Sequence, residues 1–171
     1  MTIISNRHDD RYVELIDNNT IRKHWKYSLN WLRKHIDILE LVIPDRVLSY
    51  GVEDYGVYVD LQYVHGIPAL DWTVLNEDYM KYVIMFWVNN AKSTFPHVHW
   101  DWHLSNTLIL QEQHTNITEN TSFEMIDWDQ CRLATHEEVH DRILHCVTCD
   151  FKNYASKDIL LEVSKYINET L

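Results

Sequence analysis

The sequence predicts an α+β chain, either one domain or two small lobes. Three observations carry this. Apolar and polar residues alternate over the first 26 positions, and again in RVLSYG (46–51) and YGVYVDLQYV (55–64), which is the period of half-buried strands. Two later stretches, 27–42 and 76–92, instead space their apolar residues at helical intervals. Finally, a chain of 171 residues with 3 glycines and 3 prolines contains no linker, repeat or low-complexity tract that would divide it further.

Taken in order, TIIS, RYVELID and NTIRKHW predict a small antiparallel sheet over residues 2–26. Asp17-Asn18-Asn19 marks a tight turn, because Asn and Asp tolerate the positive φ that such turns demand. Leu29, Leu32, Ile36, Leu39 and Leu41 predict a helix from Tyr27 to Val42, which Pro44 ends. Two strands follow, and His65-Gly66-Ile67-Pro68 breaks the chain. A longer helix is expected over residues 76–92, burying Tyr79, Val83, Phe86 and Trp87. TLILQEQ (107–113) and FEMID (123–127), joined by the polar HTNITENTS, read as a hairpin. Two C-terminal helices are expected to begin near Thr135 and Ser156.

The charge balance excludes some function classes. With 15 Lys and Arg against 26 Asp and Glu, the formal net charge is −11, which repels nucleic-acid backbones and anionic membranes. It tilts the expected partner toward a cation, although acidity also serves solubility. The longest apolar run, Tyr82 to Val88, is too short to span a bilayer. The N-terminal MTIISNRHDDR has no basic head before an apolar stretch, and 3 cysteines do not make a disulfide framework. The expected compartment is the cytoplasm.

Two segments offer zinc chemistry. His97-x-His99-x-Asp101 is similar to the HxHxDH signature of metallo-β-lactamase-like enzymes, but Trp102 displaces the last histidine to His103. A one-residue slip turns that imidazole away from ligands that must converge at about 2.0–2.2 Å. His136-Glu137-Glu138-Val139-His140 is formally HExxH. Ile143 and Cys146 stand where the extended zincin pattern has glycine and a third histidine, however, and Thr135-x-x-Glu138 reads better as a capping box opening a helix. Cys146-x-x-Cys149 has no second CxxC to complete a site, so both cysteines are expected on the buried face of that helix.

A third reading joins two separated segments. Phosphoryl transfer from ATP needs a carboxylate to orient the attacking hydroxyl and take its proton. It also needs an amide oxygen and a second carboxylate to hold magnesium on the phosphates. Asp101 and Asn106 on one loop, with Asp127 on the next hairpin, supply that set of hard oxygen donors.

Here the sequence resembles a family. HWDWHLSN (99–106) is similar to the HxDxHxxN catalytic loop of the aminoglycoside-phosphotransferase and choline-kinase branch of the protein-kinase-like superfamily. FEMIDWD (123–129) is similar to that branch's magnesium-binding segment, and RVLSYGVEDYGVYVDLQYVHGIPALDW (46–72) to its strands, hinge and "GxPL" turn. The resemblance implies a two-lobed protein-kinase-like fold. Residues 1–65 would form an N-terminal lobe of small antiparallel sheet plus one helix, and residues 66–171 a shortened, mainly helical C-terminal lobe. It further implies Asp101 as catalytic base, Asn106 and Asp127 as magnesium ligands, His99 packed beneath the loop and His103 bracing it. Lys23, with Lys26 as the alternative, falls where the family's strand lysine touches the α/β-phosphates, and Asp129 stands next to the metal segment. The implied cofactors are ATP and magnesium, and the implied activity is transfer of phosphate to a hydroxyl of a small molecule or protein.

This chain also departs from the pattern. No glycine precedes Gly51, so NRHDD (6–10) stands where a glycine-rich loop would cover phosphates. The family's lysine-pairing glutamate falls near His35, with Asp37 and Glu40 as neighbouring acids. The C-terminal half is short for a small-molecule kinase. The alternative is therefore a kinase-like docking module without turnover, with zinc hydrolysis a distant third.

Overall fold

The computed structural model describes residues 2–8, 11–74, 76–111, 113–152 and 156–171, with the side chains of residues 2–8 and 77 outside that description. The expected phosphate-covering loop includes Asp9 and Asp10, which lie outside the described residues. Internal contacts divide the chain into two units, residues 1–64 and 65–171.

The first unit is an antiparallel sheet with one helix. Its strands are β1 (Thr2–His8), β2 (Arg11–Asp17), β3 (Thr20–Trp25), β4 (Val47–Glu53) and β5 (Gly56–Gln62), in the order β1-β2-β3-β5-β4. α1 (Leu29–Val42) crosses between β3 and β4 and packs on β4 and β5. Register explains which residues go inside, since residues paired across strands share a face. Val13, Lys23, Val59 and Tyr50 are successive partners, as are Trp25, Val57 and Val52. On this face Lys23, Trp25, Val57, Val59 and Leu61 are buried. The opposite face carries Glu14, Arg22, His24 and Asp60. There Arg22 donates from Nε to Asp60 Oδ1 at 2.6 Å and from a terminal nitrogen to Oδ2 at 2.9 Å, while Ser49 Oγ donates to Oδ2 at 2.6 Å. His24 is buried with Nε2 2.9 Å from Glu14 Oε1, its ring stacked on Tyr12 and its Nδ1 against Glu53.

Two local expectations change here. The turn after β2 uses no positive φ; the Asp17 carboxylate accepts from the Asn19 N–H at 2.7 Å and closes it instead. Leu32, Ile36 and Leu39 of α1 are buried, but Leu29 lies in the exposed first turn and Leu41, two residues and about 200° beyond Leu39, points outward. Gly56 is the position where glycine is required: its φ is +149°, and a Cβ would come 2.2 Å from the Trp25 carbonyl oxygen.

The second unit is mainly helical. Short strands β6 (Ile67–Pro68), β8 (Thr107–Ile109) and β9 (Phe123–Met125) form one sheet, and β7 (His97–Val98) pairs with β10 (Arg132–Leu133). The expected strand 107–113 ends at Ile109: Leu110 is exposed, and polar residues follow it. α2 (Glu77–Thr94), opened by the Asn76 side chain accepting from the Tyr79 N–H, buries Tyr79, Val83 and Trp87 as expected. Phe86 is only half-buried, stacked on Phe123 at 5.4 Å, while Met80, Ile84, Val88 and Ala91 also lie inside. α2 packs on both α3 (His136–Asp150) and α4 (Lys157–Thr170), so a single stripe does not suffice. α3 opens with the expected capping box, Thr135 and Glu138 bonding reciprocally at 3.2 and 2.8 Å. Among the described residues no helix is long and apolar enough to cross a membrane.

Candidate active site

The loop from His99 to Asn106 leaves β7 and ends in a single 3-10 turn, Leu104–Asn106, immediately before β8. With so little regular structure of its own, the loop depends on side chains for its shape. His99 is fully buried. Its Nε2 donates to the Ile126 carbonyl at 2.8 Å, its Nδ1 accepts from the Asp101 N–H at 3.2 Å, and its ring meets Trp128 edge-on. One neutral tautomer satisfies both bonds. A second bond crosses between the same segments, from the Ile126 N–H to the Asn106 carbonyl at 2.9 Å. The loop and the 126–127 segment, twenty residues apart in sequence, are in this way one hydrogen-bonded body.

Within that body the Asp101 carboxylate is closely held. Its Oδ2 accepts from His103 Nε2 at 3.1 Å and from Asn106 Nδ2 at 3.0 Å. Ser105 Oγ lies 2.6 Å from His103 Nδ1, which turns the Nε2 proton toward Asp101. The hydrogen bond from His103 holds the Asp101 carboxyl below the usual carboxylate range; burial opposes this and His103 and Asn106 outweigh it. Asn106 is buried, and its Nδ2 also donates to the Asp101 carbonyl at 3.1 Å. Both amide protons are thus committed to Asp101, and among the described residues Asn106 Oδ1 accepts no hydrogen bond. Asp127 is half-buried and sits at φ 62°, ψ 53°, the left-handed region that Asp enters more readily than most residues. That conformation ends β9 and starts a 3-10 turn (Trp128–Gln130) containing Asp129.

Other residues bearing on the loop had no motif to announce them. Thr107 Oγ1 accepts from Trp87 Nε1 at 2.8 Å and donates to the His103 carbonyl at 3.1 Å, tying the loop to α2. From α3, Arg142 Nε donates to the Trp100 carbonyl at 2.9 Å and Asp150 Oδ2 accepts from the Leu104 N–H at 2.8 Å. Burial pushes the Asp150 carboxyl above its ordinary range, against that bond. The sole sequence signal for Arg142 and Asp150 is that each follows the buried apolar positions of α3 at helical spacing.

Lys23 belongs to the first unit, where it is buried on the α1 side of the sheet and engaged in an interaction of its own. His35, near which the resemblance would put a lysine-pairing glutamate, is buried in α1 with its ring stacked on Trp31 at 4.6 Å and edge-on to Trp25 at 5.6 Å. The buried residues of α1 are Leu32, His35, Ile36 and Leu39, so no acid lies on its inner face. Lys26 is exposed, 5.1 Å from the Tyr55 ring centroid.

The zinc motifs do not converge. His99 and His103 are turned to the partners above. In the HExxH stretch, His136 stacks on Phe95 while His140 faces Asp141 and Ser164. Cys146 is buried, its thiol pushed up to about 12 by burial, but Cys149, only about 60° away round the helix, is exposed, contrary to expectation. Among the described residues no group of three or more His, Cys, Asp or Glu is placed to hold a metal ion.

No protein-family model matches the chain, and no curated protein matches it by sequence. Among solved structures it is similar to WbdD, seen in a co-crystal structure with a kinase inhibitor, with a TM-score of 0.59 and 13% identity over 96% of this chain and 45% of that one. It is also similar to wild-type aminoglycoside 2'-phosphotransferase-IIIa in its GDP complex, with a TM-score of 0.48 and 12% identity over 99% of this chain and 93% of that one. The chain therefore spans less than half the length of WbdD. That likeness, together with the antiparallel sheet, its single helix and the mainly helical second unit, gives this chain a shortened α+β version of the protein-kinase-like fold.

Proposed function

We propose that this chain is a minimal kinase-like phosphotransferase that uses ATP and magnesium to phosphorylate a hydroxyl group of a small molecule or a protein. The observation that supports this most is the hydrogen-bonded body joining Asp101, His103 and Asn106 to the segment that ends at Asp127. In this reading Asp101 is the catalytic base. His103 and Asn106 occupy its Oδ2, which leaves Oδ1, 3.5 Å from Arg142, to accept the acceptor's hydroxyl proton. A carboxylate held below its usual range is ionised at neutral pH and ready for that role.

The donor set suits magnesium, which prefers oxygen ligands. Asn106 presents Oδ1 because its amide protons are turned to Asp101, and Asp127 adds a carboxylate; these two residues would hold the ion. Bound there, magnesium supplies neutralisation of the phosphate charge. Lys23 would contact the α/β-phosphates, with Lys26 as the alternative. Residues 1–65 would be the N-terminal lobe and residues 66–171 the C-terminal lobe carrying the catalytic loop and the metal-binding segment. The net charge of −11 favours a cationic acceptor, and an ATP-dependent reaction suits a cytoplasmic setting.

A second reading, a docking module without turnover, is favoured by one observation: the inner face of α1 offers His35 and no acid to a strand lysine. Nucleotide binding separates the two. Thermal melts with and without ATP and magnesium are expected to show a rise for the natural chain that Asp127→Asn abolishes. A ligand at 100 times its dissociation constant adds about 2.7 kcal/mol, or about 2–4 °C for each kcal/mol in a chain of this size. Asp101→Asn is expected to keep the nucleotide-dependent rise and lose phosphotransfer; equal turnover in that variant would sink the assignment of Asp101.

A further inference from the structure

We propose that α3 sets the geometry of the loop through two positioning residues, Arg142 and Asp150, which grip it on either side of Asp101. The inference rests on the reading of Asp101 as the base. Its physical basis is that the loop has a single internal backbone bond, from the Asn106 N–H to the His103 carbonyl at 3.0 Å, and otherwise takes its shape from side chains, to which α3 adds two from outside the loop. Upstream, Arg142 donates from Nε to the Trp100 carbonyl at 2.9 Å, and a second guanidinium nitrogen lies 3.5 Å from Asp101 Oδ1. Downstream, Asp150 Oδ2 accepts the Leu104 N–H at 2.8 Å.

The two anchors sit eight residues apart on one helix, about 12 Å along its axis, with buried Cys146 midway. That helix is itself fixed at its start by the Thr135–Glu138 capping box and along its length by buried Val139, Ile143 and Val147. A site held by a rigid element keeps its geometry better than one held by loops. The residue types match the task. A planar guanidinium presents one N–H to a carbonyl and another to a carboxylate, which a lysine ammonium does with less directional control. A carboxylate accepting a backbone N–H forms a charge-assisted bond, stronger than a neutral one. Arg142 therefore fixes where the Trp100–Asp101 peptide lies, and Asp150 fixes where the chain turns after His103.

The test uses the 171-residue chain, labelled with nitrogen-15, as the natural sequence and as Arg142→Gln, Arg142→Lys and Asp150→Asn. Arg142→Gln is expected to move the Trp100 and Asp101 amide resonances, and Asp150→Asn to speed exchange of the Leu104 amide about tenfold or more. In the same preparations, turnover of Arg142→Gln is expected to fall by about 10²-fold, the scale for a misplaced catalytic group, while the nucleotide-dependent melting shift persists. Arg142→Lys should recover part of the loss and stands in for the comparison if Arg142→Gln does not fold. Unchanged resonances and exchange over residues 100–104 would overturn the proposal, as would full turnover in Arg142→Gln. If the natural chain shows neither turnover nor a nucleotide shift, the phosphotransferase reading falls, and the resonances alone decide whether α3 holds the loop.

Discussion

At Asp127 the side chain and the backbone make separate demands. The φ of 62° costs an ordinary residue about 1–2 kcal/mol, glycine nothing, and Asp an intermediate amount. Asp127→Gly is therefore expected to melt within a few degrees of the natural chain yet show no magnesium-dependent nucleotide shift. Asp127→Val, with a β-branched side chain in the left-handed region, is expected to lose about 1–2 kcal/mol or more of stability as well. Comparing the two by thermal melting separates backbone strain from ligand chemistry. Equal melting points would mean that the local φ differs from 62°. Asp127 itself was legible as a candidate from FEMIDWD, but its left-handed backbone was not, because a motif names side chains and φ is imposed by the end of β9 and the turn that follows.

Among the elements, α3 bears most on the site, and its sequence signal was local. Thr135-x-x-Glu138 needs only the first turn of a helix to form, so it could be read without any tertiary information, and both reciprocal bonds are present. Thr135→Ala is expected to cost about 1 kcal/mol, seen as a melting point lower by about 2–4 °C. If α3 positions the loop, the same variant also weakens protection of the Leu104 amide. The mates of the capping residues were legible, whereas those of Arg142 and Asp150 were not. Their contacts lie 42 and 46 residues away, and no period within a helix indicates which loop its outer side chains will meet. Cys149 was expected on the buried face beside Cys146, but it is exposed, because which residues at the edge of a helix face are covered depends on what packs there.

For the whole molecule, pH dependence reports on the sheet. Burial pushes the Asp60 carboxyl up, but hydrogen bonds from Arg22 and Ser49, with the Arg22 charge, bring it below its ordinary value of 3.8. A depressed carboxylate binds protons less tightly folded than unfolded, so its stabilisation is complete above that ordinary value. It is lost as pH falls below 3.8 through the folded-state value. Melting points measured from pH 7 into that acid range are expected to fall more steeply for the natural chain than for Asp60→Asn; parallel curves would show that the Arg22–Asp60 pair carries no such linkage.

At this scale the division of labour is clear. Alternation and helical spacing by themselves determined the order of the longer strands and helices, though not the two-residue strands β6, β7 and β10, since burial of one face is a local constraint with a short period. The sequence also brought together, through resemblance, Asp101, Asn106 and Asp127 as one candidate set. Only the tertiary structure decided which bonds hold Asp101. Asp101 is held by His99, His103 and Asn106, and the loop around it by Ile126, by Thr107 linked to Trp87, and by Arg142 and Asp150 on α3. The reason is physical: hydrogen bonds are directional and short, and their partners are chosen by how distant segments pack, which no local pattern encodes.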